Sequence, residues 1–184
     1  MIKPRALFLD RDGVINADDG YTYKIEEFRF IDGIFDLCRA AHALDYLLIV
    51  VTNQAGIGRG YYTEDDFQRL TAWMQERFAA EEAPLTAIYH CPYHTDGIGE
   101  YRRQSDWRKP APGMLLQAAE DFALDLPASL LIGDSEHDIV AARRAGLGAA
   151  VRFGDPATTP SDADAIFATH AEIRVWLMQF ASRL

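Results

Sequence analysis

Short apolar runs alternate with segments of helical period along most of the chain, and this alternation limits the possible folds more than any other feature. Strands are predicted at residues 6–9, 46–51, 85–89, 129–132, 149–153 and 165–167. Helices are predicted at residues 34–44, 63–78, 112–122, 136–145 and 170–180. Strands that alternate with helices form βαβ units, in which helices cover both faces of a parallel sheet. The sequence therefore predicts one three-layer, Rossmann-like α/β domain over residues 1–184, with a central, mainly parallel sheet.

The acidic composition excludes several classes of partner. The 184 residues carry a formal net charge of -10 at pH 7, whereas nucleic acids and anionic membranes are bound by basic surfaces. Two cysteines are too few for a disulfide framework, and no apolar stretch has the length of a membrane span or a signal peptide. We therefore expect a cytoplasmic protein that binds neither nucleic acid nor membrane. No heptad pattern or surplus apolar stripe is visible, so a monomer is expected.

Polar residues follow the predicted strands at the points where a parallel sheet binds its ligands. Asp10 and Asp12 come directly after the first strand, Thr52 follows the second, and Asp134 follows the strand at residues 129–132. Lys109 precedes the helix that begins near residue 112. Ligands of such sheets bind outside the carboxyl ends of the strands. These side chains are therefore predicted to meet at one edge of the sheet.

This set of residue types indicates phosphoryl transfer assisted by a metal. Three carboxylates repel one another unless a cation neutralises them, and Mg²⁺ prefers oxygen ligands and phosphate-bearing substrates. A carboxylate can also attack phosphorus to form an aspartyl phosphate. A hydroxyl and a lysine are suited to hold the phosphoryl oxygens. We therefore expect Mg²⁺ as the cofactor.

Each cluster taken alone has a simpler explanation. The segment DRDG at residues 10–13 has the composition of a turn, and Lys109 could be a solvated lysine. Ser135 followed by Asp138 matches a helix-capping box. The occurrence of all clusters at equivalent strand ends favours the functional interpretation.

Four segments resemble the signature motifs of the haloacid-dehalogenase-like (HAD-like) phosphohydrolases. They are LFLDRDGVIN, IVVTNQAGIGRG, RKPAPGML and IGDSEHDIVAARRAG, and their order and spacing match over essentially the whole chain. The segments DRDGVIN, FRFIDG, TNQAGIGRG and RKPAPGM narrow the resemblance to the D,D-heptose 1,7-bisphosphate phosphatases and the related histidinol-phosphatases. The resemblance implies a HAD-like fold and a Mg²⁺-dependent phosphatase whose partner is a small phosphorylated sugar.

The resemblance also implies a role for each matching position. Asp10 is expected to be the nucleophile, and Asp12 the general acid and base. Thr52 and Lys109 are expected to steady the transferring phosphoryl group. Mg²⁺ is expected on Asp10, Asp134 and the main-chain carbonyl of Asp12. The residues implied for substrate binding are Arg11, Asp18, Asp19, Gly20, Tyr21, Asn53, Gln54, Ala55, Arg59 and Arg108.

One segment departs from the family. Many members hold zinc in the loop before the lysine, through C-P-H-H followed later by C-D-C. Here the loop reads Cys91-Pro92-Tyr93-His94 and then Ser105-Asp106-Trp107, so that only Cys91 stands at a ligand position. His94 is one residue late, and His90 lies nearby. We therefore expect no structural zinc and predict that Tyr93 and Trp107 hold the loop by packing.

The same loop, at about residues 90–110, is expected to cap the site. Its Arg108 is favoured as the cation for a second phosphate, because guanidinium grips phosphate through two hydrogen bonds. Two interpretations remain open for Arg102 and Arg103: they bind the second phosphate, or they are solvated side chains of the loop. The favoured reaction is removal of the 7-phosphate from heptose 1,7-bisphosphate.

Other functions remain open at this point. Histidinol phosphate or another small sugar phosphate is an alternative substrate, and the anomer is undetermined. A nucleotide-binding module without hydrolase activity is the alternative from another class. Its glycine fingerprint fails, because Tyr61 stands where G-x-G-x-x-G requires the last glycine.

Overall fold

A six-stranded parallel sheet forms the centre of the computed structural model, which describes residues 3–157 and 161–182. The order across the sheet is β3-β2-β1-β4-β5-β6, and every neighbouring pair is parallel. The strands are β1 Arg5–Leu9, β2 Tyr46–Asn53, β3 Ala87–Cys91, β4 Leu130–Gly133, β5 Ala149–Phe153 and β6 Ala165–Phe167. The prediction of a parallel α/β sheet is therefore confirmed.

Six α-helices accompany the sheet within the described residues. They are α1 Ile34–Ala43, α2 Ala55–Gly58, α3 Glu64–Ala80, α4 Gly113–Phe122, α5 Glu136–Ala145 and α6 His170–Ala181. Short 3-10 turns lie at Ile25–Glu27, Gly99–Tyr101 and Leu126–Ala128. Thr63 is the N-cap of α3, since its hydroxyl accepts a hydrogen bond from the Asp66 amide at 3.1 Å.

Alternate residues of the strands face two separate apolar cores, which give the predicted three layers. Leu7 and Leu9 of β1 pack in one core with apolar residues of α1, α3 and α6. Ala6 and Phe8 pack in the other with residues of α4 and α5. Side chains on a strand alternate between its faces, so one five-residue strand contributes to both cores. Burial on both faces explains why the strands read as continuous apolar runs.

Two strands extend further than the sequence indicates, and both differences affect the site. β2 continues past Val51 through Thr52 and Asn53, and β3 begins at Ala87 and ends at Cys91. The pairing of Asn53 with Cys91 carries both strands to the carboxyl edge of the sheet. Thr52 therefore lies within a strand rather than in the loop after it.

Within the two described ranges, the helices are too short or too polar for any of them to cross a bilayer.

Candidate active site

A buried ion pair between Asp10 and Lys109 lies at the carboxyl end of β1. The Lys109 Nζ is 3.0 Å from the Asp10 Oδ1, and the Lys109 side chain is only 3 % exposed. Nζ also donates hydrogen bonds to the Val51 carbonyl at 2.8 Å and to Asp138 Oδ1 at 2.5 Å. Burial by itself lowers the pKa of Lys109, but Asp10 and Asp138 raise it above its ordinary value. The ammonium therefore stays charged beside Asp10.

The backbone of Lys109 is held by the side chain of Asn53. The Asn53 Nδ2 donates to the Lys109 carbonyl and the Lys109 amide donates to Asn53 Oδ1, each at 3.0 Å. This pair of hydrogen bonds has the pattern that one residue makes with its neighbour in a sheet. The segment before α4 is thereby fixed to the end of β2.

Three carboxylates converge beside this lysine. Ligand oxygens of Asp10, Asp134 and Asp138 lie within 4.8 Å of one another. Burial raises the pKa of Asp134 to about 6, with a further contribution from Asp138. Burial also raises the pKa of Asp10, as do the carboxylates of Asp138, Asp134 and Asp12, while Lys109 opposes the rise. A bound divalent cation would offset this repulsion, so the residues fit Mg²⁺.

Asp138 is a functional position that the sequence reasoning assigned only to a capping box. Its Oδ2 accepts hydrogen bonds from the Ser135 amide at 3.2 Å and the Ser135 hydroxyl at 2.7 Å, as a capping residue should. Its Oδ1 is bound to Lys109. Both oxygens of Asp138 therefore have hydrogen-bond partners within the protein. A second acid four residues after Asp134, in the first turn of α5, was the signal for this role.

The turn after β1 places Asp12 against these groups. Gly13 has φ +82°, and a Cβ there would collide with the Asp134 carboxylate. Glycine is required for this close approach. The turn is closed by hydrogen bonds that include Gly13 amide to Asn16 carbonyl at 2.8 Å.

Asp12 is held by three neighbouring side chains. Its Oδ1 accepts from Arg11 Nη2 at 2.9 Å, Arg11 Nε at 3.2 Å and Asn16 Nδ2 at 3.1 Å. Its Oδ2 accepts from Gln54 Nε2 at 3.0 Å. The Asp12 side chain nevertheless is 23 % exposed. Asp12 is thus fixed in position and still faces the cavity described next.

A cavity of about 320 Å³ opens above these residues. It is lined by Asp10, Asp12, Asp18, Gly20, Tyr21, Asn53, Gln54, Ala55, Arg59, Tyr62, Arg108 and Asp134. Eight of the residues implied for substrate binding are among them. Tyr62 was missed, since an aromatic residue in a loop before a helix carries no sequence signal for a site.

Three predicted residues have their side chains elsewhere. Arg11 was expected to bind substrate, but it is 1 % exposed and uses its guanidinium on Asp12 and the Thr22 carbonyl. Asp19 pairs with Arg29 instead of lining the cavity. Thr52 is 1 % exposed, and its hydroxyl accepts a hydrogen bond from Gln54 at 2.8 Å. Sequence position places a residue near a site, but it does not give the direction of its side chain.

The segment between β3 and Lys109, residues 92–108, is called the 92–108 loop below, and it borders a second cavity of about 670 Å³. Half of its twelve lining residues are of basic type, namely His94, Arg103, Arg108, Lys109, His137 and Arg144. Arg108 lines both cavities. Burial lowers the pKa of this guanidinium, and Arg59 adds to the effect. A basic path therefore leads away from Asp10 on a chain whose net charge is -10.

Aromatic contacts hold the 92–108 loop. The Arg103 guanidinium lies 3.8 Å from the centre of the Tyr93 ring, and Trp107 meets Tyr89 edge-on at 6.0 Å. The Cys91 sulfur is 4.0 Å from the Tyr93 carbonyl. Tyr93 and Trp107, the residues predicted to hold the loop by packing, thus both make ring contacts.

Known proteins resemble this chain over most of its length. The family model described as HAD-hydrolase-like matches residues 106–172. The D-glycero-alpha-D-manno-heptose-1,7-bisphosphate 7-phosphatase of Burkholderia mallei is 61% identical over 155 residues, which cover 84% of this chain and 82% of that protein. The corresponding beta-anomer phosphatase of Haemophilus influenzae is 46% identical over 149 residues, or 81% of this chain and 79% of that protein.

A solved structure gives the same result. The D,D-heptose 1,7-bisphosphate phosphatase of B. bronchiseptica, complexed with magnesium and phosphate, matches with a TM-score of 0.82 and 26% identity. The match covers 95% of this chain and 98% of that chain. The fold, the acidic cluster at the sheet edge and these relatives agree. The chain belongs to the heptose 1,7-bisphosphate phosphatase family of the HAD superfamily, and it is a phosphoric monoester hydrolase.

Proposed function

We propose that the enzyme removes the 7-phosphate of D-glycero-D-manno-heptose 1,7-bisphosphate through an aspartyl phosphate on Asp10. The observation that carries the proposal is the buried Asp10–Lys109 pair beside a cavity that shares Arg108 with a second, basic cavity. The first cavity supplies the reacting groups, and the second offers cations to a remote phosphate.

The chemistry follows from the positions of two carboxyl groups. A carboxylate oxygen of Asp10 forms a bond to phosphorus, and the bond from phosphorus to the sugar oxygen breaks. Asp12 gives a proton to that oxygen, and it then takes a proton from the water that hydrolyses the aspartyl phosphate. The products are the alcohol and inorganic phosphate, and Asp10 is regenerated. The ammonium of Lys109 counters negative charge on the transferring group throughout.

Mg²⁺ is the proposed cofactor, with Asp10, Asp134 and the main-chain carbonyl of Asp12 as ligands. When bound, it supplies positive charge to the phosphoryl oxygens and relieves repulsion between the carboxylates. Asp138 is not among the proposed ligands, because Lys109 and Ser135 occupy its two oxygens.

Arg108 is the proposed contact for the remote phosphate. Its Nη1 donates to the Tyr93 carbonyl at 3.5 Å, which is long for a hydrogen bond. The guanidinium therefore has donors to offer to an anion. Binding energy from the remote phosphate would help to orient the bond that breaks.

The proposal is tested by phosphate release from a panel of substrates, with Mg²⁺ and with a chelator. The panel contains both anomers of heptose 1,7-bisphosphate, heptose 7-phosphate and histidinol phosphate. We expect Mg²⁺-dependent turnover that is highest for a bisphosphate. Equal kcat/KM values for the bisphosphates and the monophosphates would contradict the assigned substrate, and full turnover after metal removal would contradict the assigned cofactor.

We also propose that the 92–108 loop holds no structural zinc. Tetrahedral zinc sites are built from cysteine and histidine ligands, and three of the four family positions carry other residues. The Nδ1 of His94 accepts a hydrogen bond from the Asp96 amide at 3.0 Å, so that this nitrogen has a partner within the loop.

A further inference from the structure

The two oxygens of the Asp12 carboxyl have different surroundings. Oδ1 accepts three hydrogen bonds, two of them from Arg11 and one from Asn16. A carboxylate oxygen has about two lone-pair positions, so that Oδ1 has no position left for a proton. Among the described residues, Oδ2 accepts from Gln54 alone. The position that remains free on Asp12 is therefore on Oδ2.

Gln54 presents the donor end of its amide to this oxygen. Its Nε2 donates to Asp12 Oδ2 at 3.0 Å and to Thr52 Oγ1 at 2.8 Å. Its Oε1 accepts a hydrogen bond from the Tyr62 hydroxyl at 2.5 Å. The amide is 1 % exposed, so water is not available to replace these partners.

The direction of this amide decides where an Asp12 proton can go. Arg11, Asn16 and Gln54 all face the carboxyl group with N–H donors, and none of these nitrogens can accept a proton from it. A proton on Oδ2 therefore has an acceptor only in a molecule that occupies the cavity. If the Gln54 amide were reversed, its Oε1 would accept that proton's hydrogen bond and hold it inside the protein.

We infer that Tyr62 is a positioning residue, which fixes the Gln54 amide so that Asp12 can donate only to the leaving group. The inference rests on the proposed function, because it assigns Asp12 the role of general acid. In that step the proton moves from Asp12 Oδ2 to the sugar oxygen as the electron pair of the breaking bond moves to the same oxygen. Tyr62 itself forms no bond to the reacting atoms.

Burial and stacking of the Tyr62 ring hold its hydroxyl in one position. Its ring is 6 % exposed and stacks on Tyr23 at 5.1 Å, with 6° between the ring planes. A Cβ on Gly56 would collide with the edge of this ring. Gly56 belongs to the GIGRG segment, and this close approach accounts for a glycine that the dinucleotide fingerprint did not explain.

The test compares Tyr62→Phe with unmodified enzyme on two substrates. Phenylalanine keeps the stacked ring and removes only the hydroxyl. Heptose 1,7-bisphosphate has an alcohol leaving group that needs a proton, whereas 4-nitrophenyl phosphate has a leaving group that departs without one. The value of kcat/KM reports the steps up to the aspartyl phosphate, so that it isolates the donation of the proton from the later hydrolysis.

We expect Tyr62→Phe to lower kcat/KM for the bisphosphate about 10-fold, which is part of the roughly 10²–10⁴ that general acid catalysis contributes. The value for 4-nitrophenyl phosphate should change less than about 2-fold. Gln54→Leu, which removes the amide, should show the same substrate-selective loss. Tyr61→Phe is the matched control, because this neighbouring hydroxyl is on an exposed side chain and makes no hydrogen bond recorded within residues 3–157 and 161–182.

A double-mutant cycle with Asp12→Asn gives the decisive comparison. If Tyr62 acts through Asp12, its hydroxyl has no further effect on bisphosphate turnover once Asp12 is asparagine. Equal losses on both substrates, or a loss that persists in the Asp12→Asn background, would overturn the inference. Failure of the unmodified enzyme to hydrolyse either substrate would overturn the proposed function and this inference with it.

Discussion

The sheet edge and the 92–108 loop hold their polar groups in opposite ways. At the sheet edge, Lys109 and Asp138 are almost completely buried, and each makes at least two short polar contacts within the protein. In the 92–108 loop, Asp96 is 73 % exposed and meets Arg59 at 3.3 Å, while Arg103 lies over the Tyr93 ring.

This difference separates two functions. Groups at the sheet edge must keep their places while charge moves, and backbone pairing of β1, β2 and β4 provides that rigidity. Under the proposed function, groups on the loop select the substrate, and exposed side chains can do so without disturbing the core. Substitutions at the sheet edge should therefore affect both stability and chemistry, whereas substitutions in the loop should affect the choice of substrate.

The largest effect is expected at Asp10. Asp10→Asn keeps the side-chain size but removes the nucleophile, so turnover should fall at least about 10³-fold. Circular dichroism and thermal unfolding should show that the variant still folds. Near-normal Mg²⁺-dependent phosphate release would rule out the covalent mechanism.

The second effect concerns stability, and it compares one substitution at the sheet edge with the same substitution in the 92–108 loop. Asp138→Asn leaves the buried Lys109 without one of its two carboxylates, and it should lower the free energy of unfolding by about 3 kcal/mol. Asp96→Asn removes an exposed loop carboxylate and should change it by less than about 1 kcal/mol. Denaturant unfolding measures both values. Equal losses would show that the two regions do not differ as described.

The third effect concerns substrate choice. Arg108→Ala should lower kcat/KM for the bisphosphate about 30-fold, since a charge-assisted hydrogen bond contributes about 2 kcal/mol. Slow hydrolysis of a monophosphate should stay within about 2-fold. Arg69→Ala, at an arginine that is 70 % exposed, is the control. A parallel loss on mono- and bisphosphate would assign Arg108 to the reaction centre instead.

The smallest effect is expected in the packing of the loop. Trp107→Ala should cost about 1 kcal/mol, the typical contribution of an aromatic pair, because the Trp107 side chain is partly exposed. Elemental analysis should find no stoichiometric zinc, and a chelator added without Mg²⁺ should not shift the melting temperature. One zinc per chain, lost on changing Cys91 and His94, would refute the proposal that packing holds this loop.

Much of the fold could be predicted because its signals are local. Buried parallel strands read as apolar runs, and the predicted bounds of β5 and β6 match the structure. The predicted start of α3 at residue 63 coincides with its N-cap, Thr63. The end of β2 was missed, because the pairing of Asn53 with Cys91 depends on residues 38 positions apart in the chain.

The place of the site in the fold was predictable, but the directions of its side chains were not. Asp10, Asp134 and Lys109 lie together at the predicted edge. Arg11 was expected to face substrate, but it is buried and supports Asp12, whereas Gln54 both lines the cavity and donates to Asp12. A residue type and its position in a motif do not reveal whether its side chain points into a cavity or beneath it.

Asn53 fixes the position of Lys109 through the Lys109 main chain, whatever side chain that residue carries. Both hydrogen bonds of its amide to Lys109 are made with the main chain of that residue and not with its ammonium. Any residue with an ordinary peptide group at position 109 could be held in the same place. A lineage could therefore exchange the charge at this position, or rebuild the preceding loop, without first evolving a new attachment to the sheet. Because the attachment uses only backbone atoms of residue 109, the reactive side chain can change while the backbone keeps its place.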